Sequence, residues 1–133
     1  MKKGYFANIE KLTEENTEFR KVLYTGEGSQ LVLMAIPSLC DIGLETHTEN
    51  DQFFRFESGE GKVVINGNEY SIRDGDCIIV PKGAEHNIIN TSATLVLKLY
   101  TIYSPAHHKD GTVHPTKEYA DAHEEDFDGT TTE

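Results

Sequence analysis

The sequence predicts a single all-β domain, and three observations carry that prediction. Short runs rich in β-branched and aromatic residues recur at close intervals, and turn residues separate them. Asn66-Gly67 lies between two such runs, and Asn-Gly supplies the positive φ angles that a two-residue hairpin turn needs. Gly26-Glu27-Gly28 marks a second hairpin loop. This spacing is typical of a β-barrel or sandwich and not of βαβ units.

Each strand is predicted from its own run and from the turn that ends it. The first run also fits a helix, because Phe19, Val22 and Leu23 are spaced i, i+3, i+4, but its β-branched content and the glycine loop favour a strand. The predicted strands are 19–25, 30–36, 39–49, 53–57, 62–65, 68–72, 77–80, 86–89 and 95–103.

The 133 residues suit one domain, which we divide into four segments. Residues 1–18 are predicted to form an irregular N-terminal arm with a short strand near 5–9, and residues 19–103 the barrel. Residues 104–125 form a C-terminal arm with a short helix capped by Thr116. The acidic tail, 126–133, is predicted to be disordered.

Composition argues against several classes of partner. Asp and Glu number 23 against 12 Lys and Arg, so the net charge of -11 disfavours nucleic acid and anionic membranes. No apolar run is long enough to span a membrane and no apolar signal region follows Lys2 and Lys3, so a cytoplasmic location is expected. Cys40 and Cys77 are predicted to be buried free thiols.

Polar side chains of metal-ligand type occur in two separate segments of the predicted barrel. His47 and Glu49 leave the same face of an unbroken strand, Gln52 follows, and His86 lies just past the Pro81-Lys82-Gly83 turn. These four residues are the predicted ligands of one divalent ion, and imidazole with carboxylate and amide oxygen suits Fe, Mn, Ni or Zn. The alternative is that they are only polar residues in a barrel mouth.

Glu45 shares the predicted face of His47 and is the candidate catalytic acid or base. We expect the apolar barrel to raise its pKa. A buried hydrogen-bonding role, or an outward orientation at a bulge, is the alternative.

The chain resembles the cupin superfamily over roughly residues 30–103. Its second motif, G-x5-P-x-G-x2-H-x3-N, is matched in full by Gly75, Pro81, Gly83, His86 and Asn90. The first motif, G-x5-H-x-H-x3,4-E-x6-G, is matched in part. His47 is placed at the first histidine and Gly59 at the last glycine, so that Glu49 and Gln52 replace the usual second histidine and glutamate, and Gly43 is displaced.

The resemblance implies a small barrel with a metal site in its mouth, often paired as a homodimer. The expected function is a metal-dependent enzyme acting on a small polar or anionic metabolite, either a sugar-phosphate isomerase or a dioxygenase. A non-catalytic protein that binds or senses a small molecule or metal is the alternative. His107, His108 and His114 are expected in a solvated loop, or else in an arm, 104–115, that lies over the barrel mouth or a neighbouring subunit.

Overall fold

The computed structural model describes residues 1–133 and consists of ten strands and two helices. One sheet has the order β10-β1-β2-β9-β4-β7 and the other β3-β8-β5-β6, and both are antiparallel. The all-β prediction is confirmed. The elements are α1 (Ile9–Glu15), β1 (Arg20–Thr25), β2 (Gln30–Ile36), β3 (Glu45–Thr46), β4 (Asp51–Ser58), β5 (Glu60–Ile65), β6 (Asn68–Arg73), β7 (Cys77–Val80), β8 (Glu85–Asn90), β9 (Leu97–Ser104), β10 (Val113–His114) and α2 (Lys117–Ala122).

The β5–β6 hairpin forms as predicted around Asn66 and Gly67. Their φ angles are 47° and 80°, the left-handed values that this turn demands. The register pairs Ile65 with Asn68 and continues to Glu60 opposite Arg73. The hairpin therefore fixes which residues of β5 face the core.

The interior changes character along the strands. On β4 and β9 every second residue is buried, as the pleat requires, and the two strands pair Gln52 with Tyr103 and Phe56 with Leu99. One end of the interior is therefore apolar and the other polar. The inward side chains are Gln52, Phe54 and Phe56 on β4, and Leu97, Leu99, Thr101 and Tyr103 on β9.

Two residues of the cupin-like motifs are structural at the apolar end. Gly59 has φ +99°, and a Cβ there would lie 2.8 Å from the carbonyl oxygen of Val96, so only glycine fits without a shift. Asn90 is buried, and its side-chain nitrogen satisfies main-chain carbonyl groups that the sheets leave free. Those carbonyls belong to Ile36, Pro37 and Leu95.

The predicted strand 39–49 is wrong, because β3 covers only Glu45–Thr46. Leu39 and Gly43 take left-handed φ angles of 60° and 110°, which no continuous strand accommodates. Thr48 and Glu49 then form a bend. The alternation of faces therefore ends before Glu49.

The N-terminal arm forms no strand near 5–9, and its one regular element is a helix that begins at Ile9. Asn8 caps α1, and its side-chain oxygen accepts from the amide of Lys11 at 3.1 Å. The helix buries Thr13. The C-terminal helix was predicted correctly, since the Thr116 hydroxyl caps α2 by accepting from the amide of Tyr119.

The predictions for the cysteines and the acidic tail also need correction. Cys40 and Cys77 are free but exposed, and β7 lies at a sheet edge where only Val80 is buried. The tail is hydrogen-bonded to the barrel, with the amide of Thr132 donating to Thr25 at 2.9 Å. The Glu133 carboxylate accepts from two main-chain amides and from the Tyr24 hydroxyl, which holds the end of the chain in place.

Both helices are too short and too polar to cross a lipid bilayer.

Candidate metal centre

Glu45, His47 and His86 meet at the polar end of the barrel. One ligand atom from each lies within 4.8 Å of the other two. The register explains this, because Glu45 on β3 stands directly opposite His86 on β8, and His47 follows immediately after β3. The two sequence segments therefore converge, as their spacing predicted for His47 and His86.

The histidine nitrogens are oriented for coordination. His86 places Nδ1 3.0 Å from the carbonyl oxygen of Ala84, and since a carbonyl only accepts, Nδ1 carries the proton and Nε2 keeps its lone pair. Nε2 of His47 is buried and makes no hydrogen bond of acceptable geometry, although it lies 3.2 Å from Oε2 of Glu45. An unpaired buried nitrogen beside a carboxylate fits a divalent metal ion.

Gln52 supplies a further unpaired oxygen. The side chain is 2% exposed, and its Nε2 donates to the Thr101 hydroxyl at 3.0 Å. Its Oε1 is buried without a partner. Gln52 stands opposite Tyr103, whose ring packs edge-on against His47 at 5.6 Å between centroids. Gln52 therefore lies opposite a residue that contacts His47, and its amide oxygen has no hydrogen bond.

Glu49 does not join the cluster. It is exposed in the bend that follows β3, while Glu45 takes the carboxylate position beside His47. The expectation failed because it assumed an unbroken strand through His47, whereas the strand stops at Thr46.

The motif spacing contained the signal that identifies Glu45. When Glu45 and His47 occupy the two histidine positions, Gln52 and Gly59 fall at the spacings that the first motif requires. The opening glycine position then falls on Leu39, whose φ of 60° is the conformation that glycine favours. Because a leucine occupies this glycine position, the sequence did not reveal that the first motif aligns with Glu45 and His47.

Charges around the cluster favour its metal-binding protonation states. Burial alone would raise the pKa of Glu45, but contact with His47 and the nearby charges of His47, Arg20 and His86 hold that pKa below its usual value. The expectation of a raised pKa is therefore wrong. Burial lowers the pKa of His86. An ionised carboxylate and a neutral imidazole are the forms that bind a cation.

The C-terminal arm lies over this cluster, so a solvated loop does not describe its histidines. Gln30 is buried and holds the arm, since its Oε1 accepts from the amides of His107 and His108 at 3.1 and 3.0 Å. Its Nε2 donates to the carbonyl of His108 at 2.8 Å. The His107 ring packs against His47 with centroids 4.3 Å apart. The alternative prediction of an arm over the mouth describes the structure.

The other two histidines of residues 104–115 are buried beside the cluster. His108 Nε2 lies 3.1 Å from the hydroxyl of Tyr103, and burial lowers the pKa of His108 well below its usual value. His114 Nδ1 lies 3.1 Å from Nη1 of Arg20. The fold therefore fixes the positions of His107, His108 and His114.

A cavity of about 290 Å³ opens beside the cluster. Sequence reasoning missed Arg20 as a site residue. The signal was its position two residues before Val22 on β1, which places both side chains on the inward face of the strand. The cavity wall includes Arg20, Glu45, His47, His107, His108 and His114.

Comparison with known proteins agrees with this fold. The family model described as "Cupin domain" matches residues 32–103. YrkC of Bacillus subtilis, an uncharacterized protein, is 43% identical over 129 residues, which cover 92% of this chain and 69% of YrkC. L612 of Acanthamoeba polyphaga mimivirus, also uncharacterized, is 41% identical over 112 residues, covering 82% of this chain and 70% of L612.

A crystal structure provides a match over nearly the whole chain. BH2720 of Bacillus halodurans superposes with a TM-score of 0.89 at 41% identity, covering 91% of this chain and 96% of BH2720. The likeness therefore extends beyond the barrel into the arms.

Proposed function

Because this chain belongs to the cupin family, we propose that it binds one divalent transition metal through Glu45, His47 and His86, with Gln52 as a further oxygen ligand. One observation carries the proposal: ligand atoms from all three residues converge within 4.8 Å, and the Nε2 of His47 is buried without a hydrogen bond. Leaving such atoms unpaired costs free energy that a bound cation offsets.

The donor set indicates the class of metal and of chemistry. Two imidazoles with one carboxylate are the ligand set of non-haem Fe(II) oxygenases, and Mn, Ni and Zn accept the same donors. When bound, such an ion supplies Lewis acidity and open coordination positions for a small molecule. We therefore favour a dioxygenase-type enzyme over a sugar-phosphate isomerase, acting on a small polar or anionic metabolite.

The chain's own residues prepare the site for that ligand. The His107 ring covers His47, and the arm that carries it is held by the buried Gln30, so the arm covers one side of the cluster while Glu45 stays partly exposed. The proton on Nδ1 of His86 fixes that ring through the Ala84 carbonyl. Glu45 acts here as a ligand, so the earlier proposal that it is a catalytic acid or base becomes the less favoured role.

A non-catalytic protein that binds a small molecule or metal is the second candidate. It is favoured by the position of Glu45, because a carboxylate engaged by a metal is not free to move protons. A small-molecule partner and a homodimer in the cytoplasm remain part of the proposal in either case, and neither nucleic acid nor membrane is expected as a partner.

Metal content of untagged protein tests the proposal. We expect about one transition-metal ion per chain by elemental analysis, lost in His86→Ala and retained in His123→Ala, which removes an exposed histidine outside the cluster. Equal metal content in wild type and His86→Ala would contradict the site.

Two activity assays then separate the candidate functions. Oxygen consumption by Fe(II)-loaded protein supports a dioxygenase, and turnover of hexose phosphates supports an isomerase. Activity in neither assay, together with tight co-purification of one metabolite, supports the binding protein.

A further inference from the structure

Arg20 is a buried cation that forms no ion pair, although its charge acts on the carboxylate of Glu45. Its side chain turns inward from β1 and the residue is 6% exposed. None of the ion pairs within 4.0 Å in this chain includes Arg20. A guanidinium does not lose its proton inside a protein, so its charge must be balanced by its surroundings or by a ligand.

The hydrogen bonds of Arg20 are also incomplete. Nη1 lies 3.1 Å from Nδ1 of His114, which is a neutral acceptor because burial and the charge of Arg20 both lower the pKa of His114. Nε is buried and has no partner. A neutral imidazole satisfies one N–H but supplies no negative charge.

Arg20 lines the cavity that the metal cluster shares. Arg20, Glu45 and His47 all line this space of about 290 Å³, which is near the lower limit of pockets that hold small molecules. Glu124, Glu125 and Asp126 also line it, are exposed, and form no ion pair with Arg20. These carboxylates repel a ligand with several negative charges more strongly than one with a single charge.

We propose that Arg20 is an anion-binding residue that receives the carboxylate of a small monocarboxylate ligand, whose other polar end faces the Glu45, His47 and His86 cluster. The planar N–H fork of arginine matches the two oxygens of a carboxylate. The inference rests on the proposed function, because the metal takes the other end of the same ligand. It narrows the substrate class from polar metabolites to small carboxylic acids.

An NMR titration of the full chain with acetate tests this subsite. The Nε–Hε resonance of Arg20 is followed in ¹⁵N-labelled protein, both zinc-loaded and treated with EDTA, with acetamide as the matched neutral probe. We expect acetate to shift this resonance saturably in both samples and acetamide to leave it unchanged. Inorganic phosphate is expected to bind more weakly than acetate.

Variants of Arg20 test whether acetate binds at this residue. The backbone amide of Thr46, on the cavity wall, reports acetate binding in every variant. We expect Arg20→Gln to weaken acetate about tenfold or more, Arg20→Lys to weaken it less, and Lys21→Gln to change nothing, because Lys21 is exposed on the same strand. Arg20→Lys also keeps the test valid if Arg20→Gln fails to fold.

The outcomes separate the subsite from the metal. If acetate shifts the Arg20 resonance in EDTA-treated protein and added zinc does not bind to the chain, the subsite is upheld and the metal proposal is contradicted. Zinc binding with no Arg20-dependent acetate shift upholds the metal and overturns the subsite. Tighter binding of phosphate than of acetate overturns the assignment to carboxylates.

Discussion

The two ends of the barrel interior are built on the same strands but serve opposite purposes. The inward side chains of β4 change from the polar Gln52 to the apolar Phe56, and those of β9 change from Tyr103 to Leu99. Each strand therefore passes from the polar to the apolar end of the interior. At the apolar end the aromatic and aliphatic side chains pack within one core cluster. At the polar end, buried nitrogen and oxygen atoms of His47, Gln52 and Arg20 have no partner.

The comparison shows that the apolar end stabilises the fold and that the polar end lowers its stability. Burial of apolar side chains stabilises the chain, whereas each buried polar atom without a hydrogen bond destabilises it by about 1–3 kcal/mol. A barrel selected for stability alone would not keep three such residues at one end. Their retention at the cluster is what a ligand-binding site requires.

The largest expected effect is a loss of stability at the apolar end. Phe56 is 0% exposed and packs beside Phe54, so Phe56→Ala removes buried area and leaves a cavity. We expect the free energy of unfolding in urea to fall by about 3–5 kcal/mol, with the metal content of the folded protein unchanged. Tyr70→Ala, at an exposed position of β6, serves as the control and is expected to change stability much less. Loss of metal from folded Phe56→Ala would show that the two ends are not independent.

The reverse pattern is expected at the polar end. His47→Ala removes a proposed metal ligand, so we expect zinc affinity to fall at least about 100-fold, measured by competition with a chelator. The free energy of unfolding of the metal-free protein is expected to fall by less than in Phe56→Ala. The deleted nitrogen makes no hydrogen bond, which offsets part of the lost packing against Tyr103 and His107. A change as large as that of Phe56→Ala would instead make His47 a core residue.

The sequence predicted the apolar end and the turns better than the mouth. Local signals such as Asn66-Gly67 specify their own geometry, and the prediction of that hairpin needed no other part of the chain. The mouth depends on long-range contacts: Arg20 and His114 are brought together by β1 pairing with β10. Glu45 was identified as a site residue but not as a metal-cluster member, because Leu39 stands where a motif glycine would have fixed the register.

The pH dependence of stability is expected to come from the polar end. Burial and the charge of Arg20 lower the pKa of His108 in the folded state, so the unfolded state takes up this proton first as the pH falls below about 6.5. Stability is therefore full above that value and falls toward lower pH, by at most about 1.4 kcal/mol per pH unit for this group. Urea unfolding in EDTA at pH 7.5, 6.5 and 5.5 measures the slope. His108→Gln is expected to reduce this slope without abolishing it, because burial also lowers the pKa values of His86, His107 and His114. Phe56→Ala is expected to lower stability in parallel at every pH.

The smallest expected effect tests Gln52, the one proposed ligand with an amide oxygen. Gln52→Glu keeps the shape of the side chain, and the Thr101 hydroxyl can donate to the new carboxylate in place of accepting from the amide. A carboxylate binds a divalent cation more strongly than an amide oxygen does, so zinc affinity is expected to rise about tenfold. Without metal, a second buried carboxylate near Glu45 is expected to lower stability.

Gln52→Leu completes the comparison by removing the oxygen altogether. If Oε1 of Gln52 is a ligand, zinc affinity falls in Gln52→Leu and rises in Gln52→Glu, while the apolar end is untouched in both. Equal zinc affinity in the wild type and both variants would remove Gln52 from the ligand set. Its buried, unpaired oxygen would then lower the stability of the fold, and metal binding would not compensate for it.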